Sequence, residues 1–371
     1  MNDIWYRELD ENIKLFFENI SDKKTQYKYL PSIGGVTRNG SKLSLGFSCF
    51  ALKTFYMTGL WKKLNDQDKE GWVNFINSFQ SDNGNFPSNS FIDESYIKEF
   101  NNTQNKKVIK NTIKYLLHQV NLMDYEKKEE RLKTFIRAES KQAISTLNQV
   151  GYANKFEYLD FPKEKDSIKI FLDKLNWNKP WSAGAQFAGL CLFSKTQLRE
   201  GTAPINELIK YSDFLAKEDT GGYYLKDQPS NKEFINGAMK MISGFDWIDK
   251  KIHYPEKLID FCLNNLPSND GCDLVDIVYV LYMCTKQTEY RKKEIIKYFD
   301  EITSLIHIHY HEAYYGFSYY MNNSQTHYYG VNITKGQSFP DIHGTTLLIW
   351  ALSMIFEINE INSVNWKTLK P

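Results

Sequence analysis

Apolar residues recur along the chain at helical spacing, in two kinds of segment. The first kind is apolar nearly all round: Leu45, Phe47, Phe50, Ala51, Phe55 and Leu60 are dense enough for a helix buried on most sides. Ala143–Val150, Trp181–Phe193, Asn236–Trp247, Cys272–Met283 and His343–Phe356 read the same way. The second kind is amphipathic and charged: Lys106–Leu117, Glu126–Ile136, Ile205–Leu215 and Arg291–His307. With Ser44, Glu139, Trp181, Asn236, Cys272 and His343 as heads, the apolar segments follow at intervals of 95, 42, 55, 36 and 71 residues. If the first interval holds two units, the loose period is about 50 residues, room for a helix, a turn, a second helix and a loop. Apolar helices alternating with half-polar ones are what a two-layer ring of hairpins requires. The pattern predicts an all-α protein, an α/α toroid of five to seven hairpins over residues 41–371, with residues 1–40 packing on it.

Composition changes this picture little. Of the 371 residues, 42% are apolar and 25% charged, the balance of a folded chain. Aromatics reach 15%, which points to a wide interior or a lined cavity. Acids (45) and bases (46) nearly cancel, so a nucleic-acid partner is not expected. The five cysteines are scattered without a CxxC pair, as in a reduced, cytoplasmic protein. Asp3, Glu8, Asp10 and Glu11 stand where a signal peptide needs bases, and no run reaches the roughly 18 apolar residues of a spanning helix.

The turns also repeat. Gln80-Ser-Asp-Asn-Gly-Asn-Phe86 is similar to Glu218-Asp-Thr-Gly-Gly-Tyr-Tyr224, with a shorter version at Tyr315-Gly-Phe317; glycine is expected to supply the positive φ. In this style the chain resembles, over roughly Ser41 to Glu357, the α/α toroid superfamily of terpenoid cyclases and protein prenyltransferase β subunits. A local match adds to it. The prenyltransferase subunits carry Asp-Gly-Cys at the head of one inner helix and a His at the head of a later one, and together these bind zinc. Here Asp270-Gly271-Cys272 and His343 fall in that order. The resemblance implies a zinc site at Asp270, Cys272 and His343, and carboxylate, thiolate and imidazole suit Zn²⁺ with one position open for substrate. The helix dipole is expected to favour the Cys272 thiolate.

The chain departs from the family in two respects. Asn264-Asn265-Leu266-Pro267 stands where the prenyltransferases place cations for a diphosphate, and Asp273 follows the cysteine where they place a tyrosine. The acid motif of the cyclases is missing too: Asp66-Gln67-Asp68-Lys69 lacks its last Asp and reads as a hydrophilic connection.

The remaining chemistry is carried by acids within apolar segments and by aromatics. Asp276 lies among Leu274, Val275, Ile277 and Val278, where an unpaired carboxylate is costly, so it serves either as a general acid or base or as half of a buried pair. Asp273 is either a second such acid or a first-turn acid favoured by the dipole. Glu139, heading its segment beside Arg137 and Lys141, is the third catalytic candidate. Trp181, Gln186, Asn236, Lys240 and Tyr279 are the candidate substrate-binding residues, Lys240 with Arg137 and Lys141 suiting an anion and the aromatics a carbocation or a sugar ring. Trp350 adds aromatic surface, and His307, His309 and His311 either bind a metal or end a helix. Three functions stay open: a cyclase- or prenyltransferase-like enzyme acting on an isoprenoid-like molecule; a carbohydrate-active toroid using paired carboxylates among Glu139, Asp276 and Asp341; and a non-catalytic binding scaffold.

Overall fold

The computed structural model describes residues 4–81, 86–106, 128–199 and 204–371. These hold fourteen α-helices: α1 (Ile4–Ile20), α2 (Leu45–Met57), α3 (Leu60–Lys63), α4 (Asp66–Asn77), α5 (Glu94–Lys106), α6 (Lys128–Gln149), α7 (Lys165–Asp173), α8 (Pro180–Gln197), α9 (Ile205–Leu215), α10 (Asn231–Trp247), α11 (Pro255–Leu263), α12 (Gly271–Thr285), α13 (Lys292–His307) and α14 (Ile342–Ile358). Strands are confined to three two-residue antiparallel ladders: β1 (Gln80–Ser81) with β2 (Ser90–Phe91), β3 (Tyr310–His311) with β4 (Gly316–Phe317), and β5 (His327–Tyr328) with β6 (Val331–Asn332).

The six nearly all-apolar segments form α2, the second half of α6, α8, α10, α12 and α14. Their side chains are buried on most sides, whereas α4, α7, α9, α11 and α13 bury one stripe each. The apolar helices pack in succession, α2 on α6, α6 on α8, α8 on α10, α10 on α12 and α12 on α14, and α14 packs in turn on α2. The half-polar helices cover the outside of these pairs, with α11 and α13 both against α12, and α9 against α8. Apolar side chains from Tyr6 to Leu369 belong to one continuous core, so residues 1–40 share it through α1.

Side-chain caps bring the helix starts together at one end. Asp93 serves two helices at once: its Oδ2 accepts from Ser44 and Leu45 at the start of α2 (2.7 and 3.2 Å), and its Oδ1 accepts from Ser95 and Tyr96 in α5 (3.0 and 3.3 Å). Asp341 caps α14 through Gly344 (2.8 Å) and also accepts the amides of Tyr319 (2.7 Å) and Gln325 (3.0 Å). The carbonyl of Tyr319 accepts from Gly271 at the head of α12 (2.9 Å). A Cβ on Gly344 would overlap the backbone of Ser318 and Tyr319, so glycine permits that approach. At the opposite end the C-terminal tail crosses the helix ends. Lys367 N–H donates to Met57 of α2 (2.8 Å), Lys370 N–H to Gln149 of α6 (2.7 Å), and Trp247 of α10 donates to the Pro371 carbonyl (2.6 Å).

Several expectations change. The described part of Glu126–Ile136, from Lys128, and Ala143–Gln149 are one continuous helix, α6, because nothing between them breaks helical hydrogen bonding; Glu139 therefore sits mid-helix and heads nothing. Asp66–Lys69 opens α4, capped by Asn65 accepting from Asp68 (2.8 Å), where a connection was expected. Gly221 takes the left-handed turn (φ 78°), but in the Tyr315 turn the tyrosine, not Gly316, adopts positive φ (53°), closing the short 3₁₀ helix Glu312–Tyr314. Of the Lys106–Leu117 segment only Lys106 is described; the rest of it, and Gly84 in the Gln80–Phe86 turn, lie outside the described residues.

Candidate functional site

The apolar helices carry a few ionisable groups into their shared interior. Lys53 comes from α2, Glu139 and Lys141 from α6, Lys240 from α10, Asp276 from α12 and His343 from α14. On α12, Cys272, Asp276 and Tyr279 are spaced four and three apart and line one face; on α14, His343 and Trp350 are two turns apart on one face. Asp276 is buried, its Oδ1 lies 4.0 Å from Lys240 Nζ, and its Oδ2 has no hydrogen-bond partner. The Tyr279 hydroxyl and the Trp350 indole N–H are also buried without a partner, the two rings 5.3 Å apart.

Charge accumulates among these groups faster than it is neutralised. Burial pushes Lys141 down to about 7, aided by the charges of Lys240 and Lys53. Burial likewise brings Lys53 down to about 8, Cys49 and Glu139 working against it and Lys240 with it. Neither lysine makes an ion pair or hydrogen bond among the described residues. His343 is lowered to about 3, by burial first and then by Lys240. The acids move the other way. Burial raises Asp276 to about 7 against the pull of Lys240, and raises Glu139 to about 8, the hydroxyl of Tyr328 donating to it. Lys240 keeps 24% of its side-chain surface accessible.

Glu139 lies to one side, in a crevice of about 170 Å³ lined by Leu43, Gly46, Phe47, Asp93, Tyr96 and Tyr328, without Asp276 or the lysines. The crevice is too narrow for a water-sized sphere. The β5–β6 turn stands over it. Tyr329 and Gly330 both take positive φ (43° and 85°), and Tyr329, held against Phe135 at 5.0 Å, is 52% exposed.

The other sequence candidates have structural partners. Asp273 accepts from Lys232 (2.7 Å), Asn236 (2.8 Å) and Ser268, so it and Asn236 tie α10 to α12. Trp181 sits at the head of α8, its N–H on Glu233 (3.1 Å) and Lys232 over its ring at 5.6 Å. Gln186 accepts from Arg137 (3.1 Å), whose guanidinium lies 5.1 Å over Phe171 of α7; Gln186 thus faces the outer layer. Lys240 does join Asp276, whereas Tyr279, three residues on along the same helix, has Asp246 and Tyr282 as the ionisable groups acting on its hydroxyl. Asp341 is consumed by its three backbone amides. His307 ends α13 with its ring tilted against Trp5 at 4.8 Å, while His309 Nδ1 bonds the Ser318 carbonyl (2.8 Å).

Asp270, Cys272 and His343 do not fit a metal in this arrangement. Asp270 Oδ1 accepts the Asp273 amide (3.0 Å) and Oδ2 the Lys232 ammonium (3.0 Å), a cation where a metal would need to come. The dipole does not prevail at Cys272: burial, then Asp276, pushes its thiol up to about 12. His343 stacks between Phe50 (4.5 Å) and Tyr319 (5.2 Å), with Nδ1 on Gln325 Oε1 (3.0 Å). Among the described residues no three His, Cys, Asp or Glu side chains gather as ligands. Lys53, Tyr328 and Tyr329 were missed. Lys53 had a signal, a lone lysine in the apolar run LSLGFSCFALKTF; the two tyrosines had none.

No family model matches the chain, and no curated protein or solved structure is significantly similar to it. Among the described residues no helix is long and apolar enough to cross a membrane.

Proposed function

We propose that α2, α6, α8, α10, α12 and α14 are the inner ring of an α/α toroid, and that the protein is an enzyme acting on a small molecule held at its axis. The return of α14 to α2 supports the ring, and outer helices of alternating order supply the second layer. One observation carries the enzymatic reading. Asp276 is buried with one oxygen unpartnered, 4.0 Å from an ammonium, and titrates at about 7. A carboxyl half-protonated near neutrality can give a proton and take one back, and a group of that kind in a polar interior is the usual mark of acid–base catalysis. Lys240 stabilises the carboxylate that remains after proton donation. Zinc enters no step.

Untargeted mass spectrometry of a cell metabolite extract incubated with the protein tests this reading. Wild type is expected to deplete at least one small metabolite, and Asp276→Asn to slow that depletion by about a hundredfold or more. An extract left unchanged by wild type would establish the scaffold reading in its place.

A further inference from the structure

We infer that the interior takes a hydroxyl-bearing anion, a phosphorylated or carboxylated sugar or polyol, its anionic group among Lys53, Lys141 and Lys240 and its hydroxyls on Asp276, Tyr279 and Trp350. The inference rests on the interior being the ligand site. It departs from the isoprenoid substrate that the sequence resemblance implies.

Two independent observations meet here. The first is the lysine excess. Three ammonium groups from α2, α6 and α10 lie within electrostatic reach of one another, and among the described residues only Lys240 has an acid within ion-pair distance, at 4.0 Å. Three cations that repel one another in a buried space are held at lower cost when an anion sits between them, and ammonium groups are point charges suited to phosphate or carboxylate oxygens. Glu139 acts on Lys53 only beyond ion-pair distance, its Oε1 taking the Tyr328 hydroxyl.

The second is a set of buried, unpartnered polar atoms on α12 and α14, one of them on the carboxylate that Lys240 approaches. Asp276, Tyr279 and Trp350 are 1%, 1% and 5% exposed, and Asp276 Oδ2, Tyr279 Oη and Trp350 Nε1 have no partner. Leaving such atoms unpaired is unfavourable, and a ligand that binds them removes the deficit. The set comprises an acceptor and a donor-acceptor on α12 and a donor on α14, the rings of Tyr279 and Trp350 lying 5.3 Å apart. Sugar hydroxyls both donate and accept and match all three. An isoprenyl chain matches none and would leave them buried and unpaired. The aromatic faces of Tyr279 and Trp350 can also take the C–H face of a sugar ring.

Thermal denaturation of the full chain near pH 7 tests the inference, with glucose 6-phosphate, ribose 5-phosphate, glucuronate, glucose, inorganic phosphate and geranyl diphosphate as probes at about 10 mM. A phosphorylated sugar or the uronate is expected to raise Tm by about 3 °C or more, beyond the sum for phosphate and glucose separately. The better of the phosphorylated and carboxylated arms identifies the anionic group. Lys53→Met is expected to weaken binding of the responding probe about tenfold or more. Tyr279→Phe is expected to weaken the sugar anion about tenfold while leaving inorganic phosphate unchanged, and to raise the Tm of the ligand-free protein because it removes an unpaired hydroxyl. A fall in ligand-free Tm for Tyr279→Phe, a larger response to geranyl diphosphate than to any sugar anion, or no response to any sugar anion overturns the inference. If the extract experiment shows a consumed metabolite that is not an anionic polyol, this inference fails and the enzyme stands. If a sugar anion binds but nothing is consumed, the ligand class stands and the enzyme fails.

Discussion

Asp276 illustrates how far one side chain's properties depend on what surrounds it. In the unfolded chain it titrates near 3.8, and in the fold near 7. Between those values the folded state holds a proton that the unfolded state has released, so stability falls as pH rises through this window. Burial is the main cause; Asp273 and Asp270 add to it, and Lys240 and Lys232 oppose it. Asp276→Asn carries no such proton. The Tm of the variant minus that of wild type is therefore expected to be near zero below pH about 4, to grow up to pH about 7 and then to level off, each pH unit inside the window contributing at most about 1.4 kcal/mol. A flat difference across that range would show that the carboxyl is not buried in the way described. Lys141 has the opposite sign. Its folded value of about 7 lies below the unfolded 10.5, so the cost of charging it is full below 7 and fades toward 10.5. Affinity for an anion at these lysines is accordingly expected to decline above pH 8, which titration calorimetry at several pH values would measure.

At the scale of elements, the helices are joined by a small number of caps that reach across the sequence. Asp93 holds the first amides of α2 and α5 together, so Asp93→Ala removes caps from two helices and is expected to cost about 2 kcal/mol in chemical denaturation. An unchanged midpoint would show that water replaces the carboxylate at both helix starts. Gly344→Ala drives a methyl group into the backbone of Ser318 and Tyr319, a segment held by the Tyr319 hydrogen bonds to Asp341 and Gly271; a loss of about 3 kcal/mol is expected by the same measurement. The periodicity of the chain placed these helices well. Ile205–Leu215 coincides with α9, and the apolar segments at Trp181, Asn236, Cys272 and His343 all fall within helices. It failed at α6, where a polar face running into an apolar one looked like two elements although the hydrogen bonding is continuous. Cross-chain partners were beyond it, since Asp273 reads identically as a catalytic acid or as a clamp until Lys232 and Asn236 are seen against it.

For the molecule as a whole, the C-terminal tail acts as a closure across the far helix ends. Trp366 donates to Asp10 of α1 (2.5 Å), Thr368 to Glu357 of α14 (3.3 Å), and Lys370 lies 4.8 Å from the ring centre of Trp247, where a cation also suits the negative ends of the helices. Deleting residues 364–371 uncovers these ends together with the apolar surface under Val364 and Leu369, and a Tm lower by about 5 °C is expected. An unchanged Tm would mean that the tail contributes no closure.

The amino-acid pattern by itself determined that this chain is helical, that its helices come in an apolar and a half-polar class, and that Asp276 and Lys240 lie within buried ones. These are local properties, set by spacing along a helix and by the cost of wetting apolar side chains. Which buried charges meet was decided only by tertiary packing. Lys53 and Asp341, 288 positions apart by number, look alike as charged residues near apolar segments, yet one faces other cations and the other is enclosed by three amides. Electrostatic energy depends on distance through space and on dielectric surroundings, and neither quantity is written in the order of residues.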